Sequence, residues 1–230
     1  MKPSEYYIKA RLFPTILTSI PLLIFVFSII APQYTDALNE VSNILPILTS
    51  LGISAALIFL IVLINRLLAK EIFQRYYFKE DTHLPTTSYL LWEHPFYENV
   101  VKREIREKIN VRYGVVLMNE EDEKANESIS RKHIAAAVAR IRNELRGNKM
   151  VLQHNIEYGF MRNLLGGCII AIIFSITIIA FGYLKENYNL RIVGWVCLGV
   201  YALPIIFSKA LMNRHGHYYC KMLYDQFLSL

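Results

Sequence analysis

Between Arg162 and Lys185 the chain reads NLLGGCIIAIIFSITIIAFGYL, 22 residues without a single charge. About 20 apolar residues in a helix cross the ~30 Å hydrocarbon core of a bilayer. There every backbone N–H and C=O must find its partner within the segment, so a run of this kind reads as a spanning helix. Three more such runs occur: 24 residues between Arg11 and Asp36, 25 between Glu40 and Arg66, and 17 between Arg191 and Lys209. The last is short, and Ala210, Leu211 and Met212 extend it if Lys209 snorkels. A soluble chain of 230 residues rarely leaves four such runs uncharged. The first run exceeds a signal-peptide core and lacks a small-residue cleavage site after it, since Ala31-Pro32-Gln33-Tyr34 is a poor one. The expectation is an all-α integral membrane protein with four transmembrane helices in two pairs and a helical insert between the second and third.

The boundaries that follow are an N-terminal hairpin over 1–65, a cytoplasmic helical domain over 66–162, a C-terminal hairpin over 163–212 and a cytoplasmic tail over 213–230. Orientation comes from the bases. Lys2, Lys9 and Arg11 precede the first run, and the insert carries 17 Lys+Arg against 14 Asp+Glu, with Arg66, Lys70, Lys149 and Arg162 near its membrane ends. The loop with Asp36 and Glu40 has no base. The positive-inside rule therefore puts both termini and the insert in the cytoplasm of a multi-pass protein. The sequence pI near 9.1 needs no nucleic acid to explain it. Cys168 and Cys197 fall inside spans and Cys220 in the tail, a scatter that suits neither a disulfide framework nor zinc.

Within the insert, a first helix continues the second span to about Lys79; its aromatics Phe73, Tyr76, Tyr77 and Phe78 suit the headgroup belt or packing on the domain equally. After a break at 83–87, a helix is predicted from about Pro95 to Val111, with Tyr97, Val101, Ile105 and Ile109 four apart. Tyr113 to Val116 reads as turn or strand, and 119–123 as an acidic loop, far more often solvated than a Mg²⁺ site. A third helix, capped at Asn126 or Ser128 and stopped by Gly147, turns Ile134, Val138, Ile141 and Leu145 to one side. Arg131, Lys132, Arg140, Arg142 and Arg146 fill much of the rest. With Lys102, Arg106 and Lys149 they form the strongest basic excess in the chain, the candidate site for a polyanion. A solvated helix face or attraction to anionic lipid accounts for them almost as well. A last helix runs from near Lys149 into the third span.

No phosphate loop, dinucleotide fingerprint, nucleophile elbow or HExxH motif is present, so neither an enzyme nor a cofactor is expected. His154 and Glu157, three apart, more often make a surface pair than a metal site. The spans hold no Asp, Glu, Lys, Arg or His, which disfavours ion-coupled transport. They hold small and hydroxyl residues instead: Thr15 with Ser19, Ser50 with Ser54, Gly166 with Gly167. Helix packing is the plain reading; the sharper one is a stripe of Ser50, Ser54, Leu57 and Ile61 lining a pore within a homo-oligomer, a tetramer for example.

Two strings carry a resemblance. Leu84-Pro85-Thr86-Thr87-Ser88-Tyr89-Leu90-Leu91 and Asn155-Ile156-Glu157-Tyr158-Gly159-Phe160-Met161-Arg162-Asn163-Leu164 resemble patterns of a bacterial integral-membrane family; His154 stands where the second pattern has Glu. With the order of two spans, insert and two spans, the chain resembles the small membrane effectors of nucleotidyltransferase-linked anti-phage systems of the Hailong type. That resemblance implies an inner-membrane pore whose cytoplasmic part binds a nucleotide or oligonucleotide made by a partner nucleotidyltransferase, and whose opening aborts infection. It gives no role to Tyr158, Arg162 and Asn163, which also suit an interfacial helix end. The competing expectation is a membrane-anchored scaffold or assembly factor that conducts nothing.

Overall fold

The computed structural model describes residues 4–33, 53–79 and 81–230. They form nine helices: α1 (Glu5–Gln33), α2 (Ile53–Leu68), α3 (Pro85–Ser88), α4 (Asn99–Tyr113), α5 (Glu120–Ala125), α6 (Glu127–Glu144), α7 (Lys149–Leu184), α8 (Tyr188–Ile206) and α9 (Ser208–Leu228), with short helical turns between some of them and no strand among the described residues. Helical structure continues beyond α2 through Ala69–Gln74 and Arg75–Phe78. Contacts divide the chain into two units, Met1–Phe73 with Gly159–Lys209 and Gln74–Tyr158 with Ala210–Leu230.

In the first unit α1, α7 and α8 are long and apolar enough to cross a membrane. Only 28% of the most apolar stretch of α1 and 11% of that of α8 is covered by the rest of the chain. Phe27, Leu57, Ile173 and Ile206 stand more than half exposed. Apolar surface on this scale suits a lipid solvent. The first part of the second expected span lies outside the described residues, which show it from Ile53 onward.

Polar groups hold this unit together. Pro14 has no N–H to give the carbonyl of Ala10 four residues earlier, and Pro21 none for that of Leu17. Each carbonyl takes a donor from another helix: Nδ2 of Asn163 on α7 reaches Ala10 O at 2.6 Å, and the Tyr201 hydroxyl on α8 reaches Leu17 O at 2.6 Å. The prolines are thus the anchor points at which α1 meets α7 and α8. One turn deeper, buried Asn65 on α2 donates to Thr15 Oγ1 (3.1 Å) and Thr18 Oγ1 (3.3 Å) of α1, both already donating to backbone carbonyls of α1. Glycine permits the approach: a Cβ at Gly166 would lie 2.2 Å from the Asn65 carbonyl oxygen, and one at Gly167 2.2 Å from Thr18 Oγ1.

The second unit is a helical domain whose core joins Ile105 and Ile109 of α4, Ile134, Val138 and Ile141 of α6, and Leu223, Tyr224 and Phe227 of α9. The i+4 spacing of the apolar positions had foretold the first two helices. α4 begins at Asn99 rather than Pro95 and ends at Gly114, whose φ of 64° is a left-handed cap that only glycine adopts without strain. The acidic stretch predicted as a loop is the short helix α5, because Asn119 Oδ1 accepts the Asp122 N–H at 2.8 Å and four carboxylates crowd its positive end. Residues 115–118 form no strand. α7 starts at the expected place, with Asn148 Oδ1 accepting from Met150 and Val151 N–H.

The largest departures concern the boundaries and the tail. Residues 66–73 and 159–162 group with the spans, not with the domain. The fourth apolar helix stops at Ile206, two residues past Pro204, so Ala210, Leu211 and Met212 belong to α9. α9 is no free tail: Leu223, Tyr224 and Phe227 are fully buried, and the Tyr224 hydroxyl donates to the Thr86 carbonyl.

The proline carbonyls yield a specific expectation. Asn163→Ala in detergent-purified protein lowers thermal stability, and Pro14→Ala, which restores an N–H for Ala10 O, removes most of that loss. The coupling in a double-mutant cycle is about 0.6–1.7 kcal/mol, the span measured for hydrogen bonds between membrane helices. Tyr201→Phe with Pro21→Ala behaves alike.

Candidate functional site: a polar cleft above a buried ion pair

The segment from Leu90 to Phe96 connects α3 to α4 without regular structure, and cations of α4 hold it from beneath. Lys102 is 1% exposed; its ammonium donates to the carbonyls of Trp92 (2.8 Å) and His94 (2.5 Å). One helical turn on, Arg106 donates to the carbonyls of Leu90 (2.8 Å) and Met118 (2.5 Å) and to Glu123 Oε2 (2.7 Å). Its guanidinium stacks 4.3 Å from the centroid of the Trp92 ring. Burial pushes the pKa of both cations down, and Glu123 opposes this in each. Glu123 is the hub: it also accepts from Ser130 Oγ (2.7 Å) and Trp92 N–H (2.6 Å). A buried cation without such partners would cost several kcal/mol.

Above this network opens a cleft of about 500 Å³ lined by Leu91, Glu93, His94 and Pro95 on one side and by Glu123, Lys124, Glu127 and Arg131 on the other. Arg131 is fixed there by Glu127 (2.6 Å), the Thr82 carbonyl and Ser88 Oγ (both 3.1 Å). His94 stacks on Tyr89 with ring centroids 4.6 Å apart. Its Nδ1 accepts the Phe96 N–H at 3.2 Å, which leaves the proton on Nε2. Burial, then Lys102 and Arg131, lower its pKa, so near neutral pH it is an uncharged donor. The cleft offers carboxylates, cations and a neutral imidazole within one small volume, a set suited to a ligand carrying both anionic and hydrogen-bonding groups.

The eight basic residues expected to bind a polyanion are not one site. Lys102 and Arg106 are structural, inside the domain, because their carbonyl and carboxylate partners are more than a surface could supply. Arg131 lines the cleft. Arg142 donates to Thr86 Oγ1 (3.0 Å) and lies 5.8 Å from the Tyr219 ring centroid. Lys132, Arg140, Arg146 and Lys149 are exposed; among the described residues none of these four is in an ion pair, and Arg140 donates to the Tyr113 carbonyl.

Of the pore stripe, Ser50 lies outside the described residues, as does the side chain of Ser54, while Leu57 is 56% exposed and Ile61 partly so. Thr15 faces into the unit, bonded to Asn65. The interfacial string divides: Asn163 serves Ala10, Tyr158 stacks on Tyr219 at 6.5 Å, and Arg162 is half-buried. His154 and Glu157 meet at 3.3 Å, yet among the described residues no cluster of three His, Cys, Asp or Glu could hold a metal. Glu123 and Trp92 escaped the sequence reading. The only signal for them was a carboxylate and an indole beside cations on an otherwise apolar helix face.

Glu123→Gln leaves Arg106 buried against a neutral partner and is expected to destabilise the protein by about 3–5 kcal/mol, measured by denaturant unfolding followed through tryptophan fluorescence. Because the pKa of His94 in the folded protein lies below its ordinary 6.5, its contribution is present above that value and lost as pH falls through the folded one. His215 is shifted in the same direction, chiefly by burial. Melting temperatures should therefore fall from about pH 7 to about pH 5, less steeply in His94→Asn, whose side-chain oxygen replaces Nδ1 as acceptor.

Comparison with known proteins finds no matching family model, no matching curated protein and no matching solved structure.

Proposed function

We propose that the chain is a ligand-controlled, pore-forming effector of the bacterial inner membrane, with four spans, both termini in the cytoplasm and a cytoplasmic domain that binds a nucleotide or oligonucleotide. The observation that carries this reading is the unequal pairing of charge on α6. Its carboxylates are used, Glu127 by Arg131 and Glu144 by Arg112 and Tyr113, whereas Lys132, Arg140 and Arg146, with Lys149 just beyond, remain at the surface. At roughly 100° per residue, Lys132 and Arg140 lie about 80° apart around α6, and Arg146 follows in the turn after the helix. A strip of unanswered cations attracts phosphates, and the cleft beside Arg131 and His94 is the neighbouring place for a base or sugar.

Conduction calls for several copies, because within one chain α1, α2 and α7 close on one another through Asn65, Gly166 and Gly167. The uncovered face of α2, with Leu57 and Ile61 one turn apart, supports its assignment to the surface between copies. An apolar ring there would gate by dewetting. In anti-phage defence, a partner nucleotidyltransferase would supply the ligand and opening would collapse the membrane potential of the infected cell. The second reading, a non-conducting assembly factor, rests on the same exposed apolar face.

Binding of a short oligonucleotide to the purified full-length protein is expected to weaken steeply with salt. Lys132→Gln with Arg146→Gln should reduce the slope of log K against log salt by about 1.4, given ~0.7 per single-strand phosphate contact. In planar bilayers the same oligonucleotide should change the conductance of the parent and not of the variant. Unchanged binding in the variant removes α6 from the site. Absence of current under every ligand condition transfers the chain to the assembly-factor reading.

A further inference from the structure

Three arginines on different helices converge at one end of the span unit. Arg11 follows Ala10, whose carbonyl is bound by Asn163, and Arg162 immediately precedes Asn163 on α7. Arg66 follows Asn65, whose backbone oxygen touches Gly166 one turn beyond Arg162. The packing that seats Asn65 and Asn163 therefore brings the three guanidinium groups together, and Arg11 and Arg162 both act electrostatically on Arg66. All three are only half-buried. Arg11 stacks 5.4 Å from the Tyr6 ring centroid and keeps a buried Nε without a hydrogen-bond partner among the described residues. Arg66 therefore feels two like charges, and an anion beside it offsets their repulsion.

Beside them an apolar groove of about 450 Å³ runs along α2, lined by Leu60, Leu63, Ile64 and Leu67 and bordered at one end by Arg66 and Lys70. The four apolar residues follow the i, i+3, i+4, i+7 pattern of one helix stripe. Cations at one end and hydrocarbon along the rest reproduce the polarity of a phospholipid lying parallel to the helix. A soluble anion would leave the groove unused.

We propose that Arg11, Arg66 and Arg162, with Lys70, bind the phosphate of an anionic phospholipid whose acyl chain lies in the Leu60–Leu67 groove. The guanidinium forks match phosphate oxygens in a way that an ammonium does not, and a zwitterionic lipid, carrying its own cation, gains less from them. Neutralising the cluster with lipid lets α1, α2 and α7 close at this end. Lipid binding here involves none of the α6 cations and does not depend on whether the protein conducts.

The test uses the full-length protein in a neutral detergent, with phosphatidylglycerol, phosphatidylcholine and inorganic phosphate as probes, read by native mass spectrometry and thermal melting. Phosphatidylglycerol should be retained and should raise the melting temperature above the phosphatidylcholine value. Arg66→Gln should lower phosphatidylglycerol affinity by roughly five- to tenfold, the weight of one basic residue against an anionic lipid. Without lipid, Arg66→Gln should melt no lower than the parent, because one member of a repelling set is gone; this distinguishes lost binding from lost folding. Leu63→Asn should weaken retention of the long-chain lipid and leave the response to a short-chain phosphatidylglycerol intact. The proposal is overturned if Arg66→Gln keeps the full preference for phosphatidylglycerol over phosphatidylcholine, or if inorganic phosphate alone reproduces the stabilisation and displaces the lipid.

Discussion

A carbonyl that loses its helical N–H in hydrocarbon has no water to turn to, and the span unit is arranged around that fact. Pro14 and Pro21 each free one oxygen of α1. Asn163 and Tyr201 meet those oxygens, and in doing so fix which turns of α7 and α8 face α1. Once Asn163 is in place, Gly166 and Gly167 fall one turn further along the same side of α7, where the absence of a Cβ lets α2 approach to backbone contact. Asn65 then closes the set by donating to two threonine hydroxyls. Hydrophobic burial cannot supply such a register in lipid, since an apolar side chain is as well solvated by acyl chains as by another helix.

The helical domain meets the same demand differently. Irregular backbone over 90–96 and 115–119 carries carbonyls that no helix satisfies, and Lys102 and Arg106 reach up from α4 to bind them. Those cations are tolerable in the interior because Glu123 answers their charge and because each donor has an acceptor. The arrangement ties the segment that contributes Glu93, His94 and Pro95 to the cleft onto α4.

Charge in this chain therefore does three kinds of work. Lys102, Arg106 and Arg142 build the domain. Lys132, Arg140, Arg146 and Lys149 stand exposed, in no ion pair among the described residues. Arg11, Arg66 and Arg162 are brought together by the packing of α1, α2 and α7. Residue type alone does not separate these roles, since the same guanidinium serves each; burial and partners do.

The sequence by itself determined that the protein is helical, that long uncharged runs alternate with a polar insert, and that α4, α6 and α7 begin and end close to where their periodicity and caps place them. Those are local properties, set by hydropathy, by the 3.6-residue repeat and by stop residues such as Gly147. Only the tertiary structure decided that the tail is part of the domain core, that Lys102 and Arg106 of the basic cluster are interior, and that Asn163, noted in the sequence without a role, is the partner of a proline-freed oxygen 153 residues away. Each depends on which distant group lies opposite a side chain. That pairing is fixed by the need to satisfy particular polar atoms and to fit a particular surface without a Cβ, and neither requirement leaves a periodic trace in the order of residues.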